Sequence, residues 1–429
     1  MADHYGFETL ALHAGITLDE TCARAVPVHR TSSYVFRDTE HAANLFALKE
    51  LGNIYTRLMN PTQDVLEKRM AALEGGAAAL ALASGTTAIF YSIINICGHG
   101  DEVVAAGNLY GGTFTMFNNI LPNLGIKVIF VDPLKPENFE QAINEKTRML
   151  YTESIGNPVL DVADLDAIAK IAQKHHLPLV VDSTFTTPYL CKPLEHGADI
   201  VVHSLTKWLG GHGTGIGGIV IDGGRFDWTD AKFCFYNEPD DSYHGLRYAH
   251  DLGELNPLAF ILRMRLVPLR NLGACISPDN AWLFLQGIET LPLRMQRHCD
   301  NALSIAHYLA EHPKVQWVRY PGLTTDPTYE TASKQFKNGF GGMVVFGIKG
   351  GLEAGHRFID NLKLISHVAN VGDAKSLAIH PASTTHSQLS EAEQAAGGIT
   401  PDLIRLSIGI ETIDDIREDL AQALDAIES

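Results

Sequence analysis

Positive charge is scarce in this sequence: 33 lysines and arginines stand against 50 aspartates and glutamates, for a formal net charge of −17. That balance excludes a nucleic-acid binder, which needs clustered Lys and Arg against phosphate, although a small anion requires only one local group of donors. Long apolar runs are missing too, and no segment approaches the roughly 18 consecutive apolar residues of a membrane span. The opening MADHYGFETLALHAG has neither the basic start nor the apolar run of a signal peptide. Cys22, Cys97, Cys191, Cys234, Cys275 and Cys299 form no CxxC pair, so they read as reduced thiols of a cytoplasmic protein. Nineteen histidines include no HExxH, and His175-His176 lacks a ligand partner at usable spacing. No metal centre is expected. Internal repeats and low-complexity tracts are absent as well.

What is present is a chain of 429 residues, 45% hydrophobic and 19% charged, long enough for roughly two or three domains. The first sixty residues show little periodicity and read as an arm or extended entry segment. Short apolar runs rich in Val, Ile and Ala then recur at 78–83, 102–106, 126–131, 148–152, 178–182, 199–203 and 217–222, with helical stretches such as 86–97 and 161–175 between them. Continuous apolar strands alternating with helices predict an α/β fold with a large, mostly parallel, doubly wound sheet. Residues 236–275 break the alternation with Pro239, Pro257 and Pro268 and read as an insertion or winding connection. A long helical pattern at 279–311 follows, then strand-like runs at 341–348 and 405–410 and helices near 351–362 and 413–427, as in a smaller α+β domain. The expected division is an arm over 1–60, a large domain over 61–275 and a C-terminal domain over 276–429.

Ligands of open α/β sheets bind beyond the carboxyl ends of the strands, so the residues at those ends matter most. After the first run, Ser84-Gly85-Thr86 opens a helix, and free N–H groups there suit a phosphate; an ordinary N-cap with a turn glycine fits the same pattern. The run 178–182 ends on Asp182, a strand-end acid that needs a cation or a strong donor. A protonated pyridine nitrogen, a helix cap or a magnesium ion would each satisfy it. In ADIVVHSLTKWLGGH, Lys207 leaves a buried strand end, where desolvation favours the neutral amine an imine-forming nucleophile requires; a structural ion pair is the alternative. Ser204 and Thr206 beside it could both offer hydroxyls to a phosphate. In GNLYGGTF, Tyr110 could stack on an aromatic cofactor and handle protons, or simply pack. Jointly these features fit a pyridoxal phosphate pocket.

Two patterns in this stretch are accidental. Residues 213–218 satisfy GxGxxG, but a strand-like GGIVI follows where a dinucleotide fingerprint needs a helix. Ser204 to Lys207 satisfies SxxK, which would suit a cofactor-free serine hydrolase, but the companions SDN and KTG do not occur.

Over essentially its whole length the chain resembles the Cys/Met-metabolism family of pyridoxal-phosphate enzymes. The motifs that carry the resemblance are NIYTRLMNPT, LASGTTA, GNLYGGT, ESIGNP, VVDSTFTTP, HSLTKWLGGHG and IRLSIGIE. It implies a fold-type I, aspartate-aminotransferase-like architecture with a seven-stranded sheet. It further implies pyridoxal 5'-phosphate as a Schiff base on Lys207, with Asp182 on the pyridinium nitrogen and Tyr110 stacked on the ring. Ser84, Gly85, Thr86, Thr184, Ser204 and Thr206 would complete the cofactor contacts. Tyr55 and Arg57 match a pair that reaches the phosphate from a neighbouring subunit, implying a dimer, usually doubled to a tetramer. Arg405 matches the clamp on the substrate carboxylate, helped by Asn157 and Ser376.

Within the family, ANVGDAKSLAIHPASTTH (369–386), the long 236–275 segment and Gly112, where methionine γ-lyases usually carry cysteine, point to the sulfhydrylase branch. The implied substrates are O-acetylhomoserine and sulfide or methanethiol, with Lys207 doubling as the base that moves protons and Tyr110 as its helper. A protein-bound sulfur donor and a succinyl or phosphoryl leaving group remain open. A γ-lyase and a cystathionine γ-synthase are the rivals on the same scaffold.

Overall fold

The computed structural model describes residues 5–47, 49–385, 387, 394 and 398–427; His386, the last residue of the 369–386 motif, lies outside them. All seven expected runs are strands: β1 (Ala78–Leu82), β2 (Glu102–Ala106), β3 (Lys127–Val131), β4 (Thr147–Glu153), β5 (Leu179–Asp182), β6 (Ile200–Ser204) and β7 (Gly218–Asp222). They form one sheet in the order β1-β7-β6-β5-β4-β2-β3. Most of β1, β2, β4, β5, β6 and β7 is buried, which is why these strands read as unbroken apolar runs rather than alternating ones.

By internal contacts the chain falls into two compact units. The first runs from the start of the described chain to Ile96 and includes Asp199–Thr206 and Thr214–Glu289. Within it, β7 pairs antiparallel with both β1 and β6, and Gly218 faces Leu82 on one side and Ser204 on the other. The entry segment is not wholly extended, because helices form over Phe7–His13 and Thr39–Phe46. The second of these is capped by Asp38, whose carboxylate accepts the His41 N–H at 2.7 Å. Residues 253–272 are nearly continuous helix despite Pro257 and Pro268. Pro268 is accommodated in a π-turn over Arg265–Leu269, where the missing N–H breaks no regular i→i−4 ladder.

The second unit comprises Cys97–Ala198, Lys207–Gly213 and the chain from Thr290 onward. Here β2 pairs in parallel with β3 and β4, and β4 with β5. A helix over Leu165–Lys174 buries Leu165, Ile168, Ala169 and Ala172, a spacing of three to four residues, and is capped by Asp164. A five-stranded sheet, β10-β11-β12-β9-β8, is built from β8 (Val315–Arg319), β9 (Met343–Ile348), β10 (Ser366–His367), β11 (Leu377–Ile379) and β12 (Leu403–Ser407). Its core joins Val344, Phe346, Leu406 and Ile408 to Ile305, Phe358 and Leu420 of the covering helices. The pattern at 279–311 divides into helices Pro278–Glu289 and Leu291–Glu311. Pro292 stands in the first turn of the second, where a proline costs no hydrogen bond.

Candidate active site

In the first unit the turn after β1 is drawn tightly over the start of β7. Ser84 caps the helix Gly85–Ile94, its hydroxyl accepting the Thr87 N–H at 3.0 Å, so the plain N-cap reading holds at this position. The packing goes beyond a cap. A Cβ on Gly85 would stand 2.7 Å from Ser204 Cβ and 2.9 Å from Ser204 Cα, and one on Gly218 would stand 2.1 Å from the Ser84 carbonyl oxygen. Three separate segments therefore converge where only glycine fits. The result is a cradle of Ser84, Gly85, Thr86 and Ser204 at a helix N-terminus, with Thr86 exposed. The Thr206 hydroxyl is engaged with Gly217, accepting its N–H at 3.1 Å and donating to its carbonyl at 3.3 Å. As the sequence suggested, residues 213–218 lead into strand β7 rather than a helix.

Tyr55 and Arg57 also belong to the first unit. Both are exposed, Tyr55 to 43%, and the Arg57 guanidinium lies 5.4 Å over the Tyr55 ring, a cation–π contact that holds the pair together on the outside.

The second unit gathers the rest. The parallel strands β2, β4 and β5 bring their carboxyl ends to one edge. Asp182 closes β5 and accepts the Thr184 N–H at 2.9 Å. Opposite it in register, Glu153 closes β4 and accepts the Tyr110 N–H at 2.7 Å. Burial first, and then the neighbouring Asp182, push the Glu153 carboxyl well above the usual carboxylate range. Tyr110 follows β2, with its ring half exposed at 49%.

The Lys207 amine donates to Asn370 Oδ1 at 2.6 Å. Desolvation, aided by the nearby Arg405 guanidinium, lowers it from 10.5 to about 8. Arg405, in the middle of β12, is buried and donates to Asn157 Oδ1 at 3.0 Å. Among the described residues no carboxylate forms an ion pair with Arg405, and its burial lowers the guanidinium to about 10. A buried cation without a counter-ion is costly, so this position is disposed to take an anion. Ser376 is buried with its polar groups committed: its N–H and hydroxyl both donate to Glu411, at 2.6 and 2.9 Å, and its oxygen accepts the Gly409 N–H at 2.8 Å.

Glu153 and Asn370 were not singled out from the sequence. The strand-end argument applied to Asp182 would have found Glu153, the first residue of ESIGNP. Asn370 lies 163 residues from the lysine it contacts, and no local pattern could have signalled it. His175, at the end of its helix, pairs with Glu140 at 3.0 Å. No helix of the described residues is long and apolar enough to cross a membrane.

Each unit by itself holds groups of a kind that pyridoxal phosphate takes: in the first a glycine cradle at a helix N-terminus, in the second an amine with lowered proton affinity and a strand-end carboxylate. Comparison with known proteins agrees. The family model for Cys/Met metabolism PLP-dependent enzymes matches residues 8–425. An O-acetyl-L-homoserine sulfhydrylase of Leptospira meyeri is 58% identical over 424 residues, covering 97% of this chain and 96% of the relative. O-acetyl-L-homoserine sulfhydrylase 1 of Thermus thermophilus is 52% identical, covering 97% and 99%. A Campylobacter jejuni protein named as an O-acetylhomoserine (thiol)-lyase, solved with N'-pyridoxyl-lysine-5'-monophosphate, superposes with a TM-score of 0.95 at 42% identity, over 98% of this chain and all of that one. The chain belongs to the Cys/Met-metabolism family of pyridoxal-phosphate-dependent enzymes.

Proposed function

We propose that the protein catalyses γ-replacement, converting O-acetyl-L-homoserine and sulfide, or methanethiol, to L-homocysteine, or L-methionine, and acetate. The observation that carries this reading is the pairing of Lys207 with Arg405. One buried cation without a carboxylate partner stands close enough to lower the proton affinity of a desolvated amine. That is the arrangement an amino acid needs, with its carboxylate on Arg405 and its Cα toward Lys207.

Bound pyridoxal phosphate would supply an aldehyde that links amines and a ring that accepts electron density from the substrate's Cα. Lys207 is the residue to carry it and, once released, to take the Cα proton as a neutral amine. Asp182 would hold a proton on the ring nitrogen, and Tyr110 would stack on the ring and assist proton movement. Ser84, Gly85, Thr86, Ser204, Thr206 and Thr184 would hold the phosphate and its surroundings. Arg405 would fix the substrate carboxylate, with Asn157 orienting the guanidinium. The contacts of Ser376 with Glu411 and Gly409 support a role in shaping that pocket. In the net reaction the Cγ–O bond to acetate breaks and a Cγ–S bond forms.

A homo-oligomer, arranged as a dimer of dimers and cytoplasmic, goes with this reading. The exposed Tyr55–Arg57 pair is suited to reach a neighbouring subunit's phosphate.

The decisive assay supplies O-acetylhomoserine and sulfide and separates the products. Homocysteine without appreciable 2-oxobutanoate is expected. Dominant 2-oxobutanoate and ammonia would assign a γ-lyase, and efficient use of cysteine in place of sulfide would assign a cystathionine γ-synthase.

A further inference from the structure

Within the second unit one short segment, 370–376, runs between the loop that begins at Lys207 and the strand that carries Arg405. Its near end is Asn370, whose side-chain oxygen accepts the Lys207 amine at 2.6 Å. Gly372 then turns left-handed at φ +76, and a Cβ on it would stand 2.5 Å from the Trp208 nitrogen and 2.9 Å from the Lys207 carbonyl carbon. Only bare backbone fits so close to the lysine. The Gly372 N–H donates to the Ser407 hydroxyl at 2.9 Å, and Ser407 stands two residues beyond Arg405 on the same face of β12. The Ala374 N–H returns to the lysine loop, donating to the Gly211 carbonyl at 2.9 Å, while the Ala374 carbonyl accepts the Ile410 N–H at 2.8 Å. The segment is thus a strap, bonded by turns to the loop after Lys207 and to β12 and its extension.

One side chain holds the strap's far end. Both oxygens of Glu411 are spent on Ser376, one accepting its N–H at 2.6 Å and the other its hydroxyl at 2.9 Å. A carboxylate that accepts two donors from one residue fixes both its place and its orientation. Gly409 has to be bare beside it, because a Cβ there would lie 2.5 Å from the Ala374 carbonyl oxygen and 2.6 Å from the Ser376 nitrogen. The Asn301 amide steadies this extension of β12, donating to the carbonyls of Gly409 and Glu411, both at 3.0 Å. We propose that Glu411 is a positioning residue for the Lys207 amine. It clamps the far end of the strap, and Asn370 at the near end sets where the free amine points. Because the strap also leans on Ser407, it sets the amine relative to Arg405, and with it the place for an amino acid's Cα. The consequence for the cofactor rests on the reading of Lys207 as its carrier; the clamp does not.

Glu411→Ala, Asn370→Ala and the double variant of the full chain test both parts. In cofactor-free protein, amide hydrogen exchange at Gly372 and Ala374 reads the clamp, since Glu411→Ala leaves their own partners in place. That exchange should quicken about tenfold, the equivalent of one lost hydrogen bond. Unchanged exchange would overturn the clamp.

The rate at which cofactor-free protein takes up pyridoxal phosphate reads the amine. Each single variant should slow it by about 10- to 100-fold. The double variant should be no slower than Asn370→Ala, because Glu411 acts through Asn370. Effects that multiply in the double variant would overturn the proposal. So would normal uptake in either single variant, whatever its thermal midpoint, since the clamp would then be merely structural. Should Glu411→Ala fail to fold, Glu411→Gln, which turns one of the two acceptors into a donor, takes its place. Lys207→Ala, run alongside, should form no borohydride-reducible bond to the cofactor. If it does, the reading of Lys207 fails while the exchange result still decides the clamp.

Discussion

The guanidinium of Arg405 donates to the side-chain oxygen of Asn157 at 3.0 Å, and among the described residues it has no carboxylate partner. The protein thus keeps a buried positive charge in reserve, oriented by a neutral amide. An amide orients without neutralising, so the charge stays available to an incoming carboxylate.

If Arg405 takes the substrate carboxylate, as proposed, it contributes to substrate binding and not to folding. Arg405→Met should leave the thermal midpoint of the cofactor-free protein unchanged or raised, because it removes an uncompensated buried charge. Meanwhile kcat/KM for O-acetylhomoserine should fall by about 30- to 4,000-fold, the equivalent of about 2–5 kcal/mol for the loss of one buried charge partner. Arg405→Lys should recover only part of this, since an ammonium lacks the planar fork. Scanning fluorimetry and steady-state kinetics check the two halves separately. A variant that lost both stability and activity would point to a structural role.

The Lys207 amine, lowered to about 8 by burial and by Arg405, sets a pH dependence. Only the neutral amine reacts with an aldehyde, so the rate at which cofactor-free protein takes up pyridoxal phosphate should rise about tenfold per unit below pH 8 and level off above it. The linked stability has a definite sign. The folded state releases this proton more readily than the unfolded chain, so the cost of the buried ammonium is fully present below about pH 8 and is relieved as pH rises from there toward 10.5. Stopped-flow absorbance across pH 6–10 reads the first effect; a midpoint near 10 would contradict the desolvated setting.

Tyr110 depends on the bare backbone of Gly112. A Cβ there would stand 2.6 Å from Tyr110 Cε1 and 3.2 Å from Cζ, so the ring has to move. Because Gly112 lies inside the short helix Gly111–Thr115, Gly112→Ala should stabilise the fold by up to about 1 kcal/mol. It should nevertheless lower kcat, by roughly 100-fold if the displacement reaches about 1 Å. Higher thermal stability with lower turnover is the expected signature. Unchanged turnover would mean that the ring position is not critical.

Much of the fold and of this candidate site is legible in the sequence. Buried parallel strands announce themselves as apolar runs, and β1 to β7 fall within a residue or two of those runs. Asp182 stands at a strand end, and Lys207 and Tyr110 just beyond theirs, where a simple positional rule looks for them. The resemblance carried by the family motifs then implies a role for each.

What escaped was non-local or depended on context. Asn370 reaches Lys207 across 163 residues of chain. The bonds of the Ser376 hydroxyl with Glu411 and Gly409 join residues 33 to 35 apart in the chain. Pro257 and Pro268 argue for broken structure, but a 3₁₀ turn and a π-turn absorb them into helix. The division of 279–311 at Thr290 was signalled by Pro292, a residue that starts helices as readily as it breaks them.

Gly218 provides the last prediction, and it separates packing from contact. This residue opens β7 between Leu82 and Ser204, and no role in binding is assigned to it. A Cβ there would meet the Ser84 carbonyl oxygen at 2.1 Å and the Gly85 nitrogen at 2.6 Å. Both obstacles are backbone, so no side-chain rotation can relieve the clash. Gly218→Ala must therefore push the Ser84–Thr86 turn away from Ser204, at a cost of about 1–3 kcal/mol of stability. If that turn cradles the phosphate, the displaced N–H groups should also weaken cofactor binding, by about tenfold for each hydrogen bond of about 1.4 kcal/mol that is lost. Equilibrium titration of cofactor-free protein with pyridoxal phosphate reads the affinity, and inorganic phosphate as competitor isolates the anion's share. A variant destabilised by the expected amount but binding the cofactor as tightly as the parent would show that the phosphate is held elsewhere.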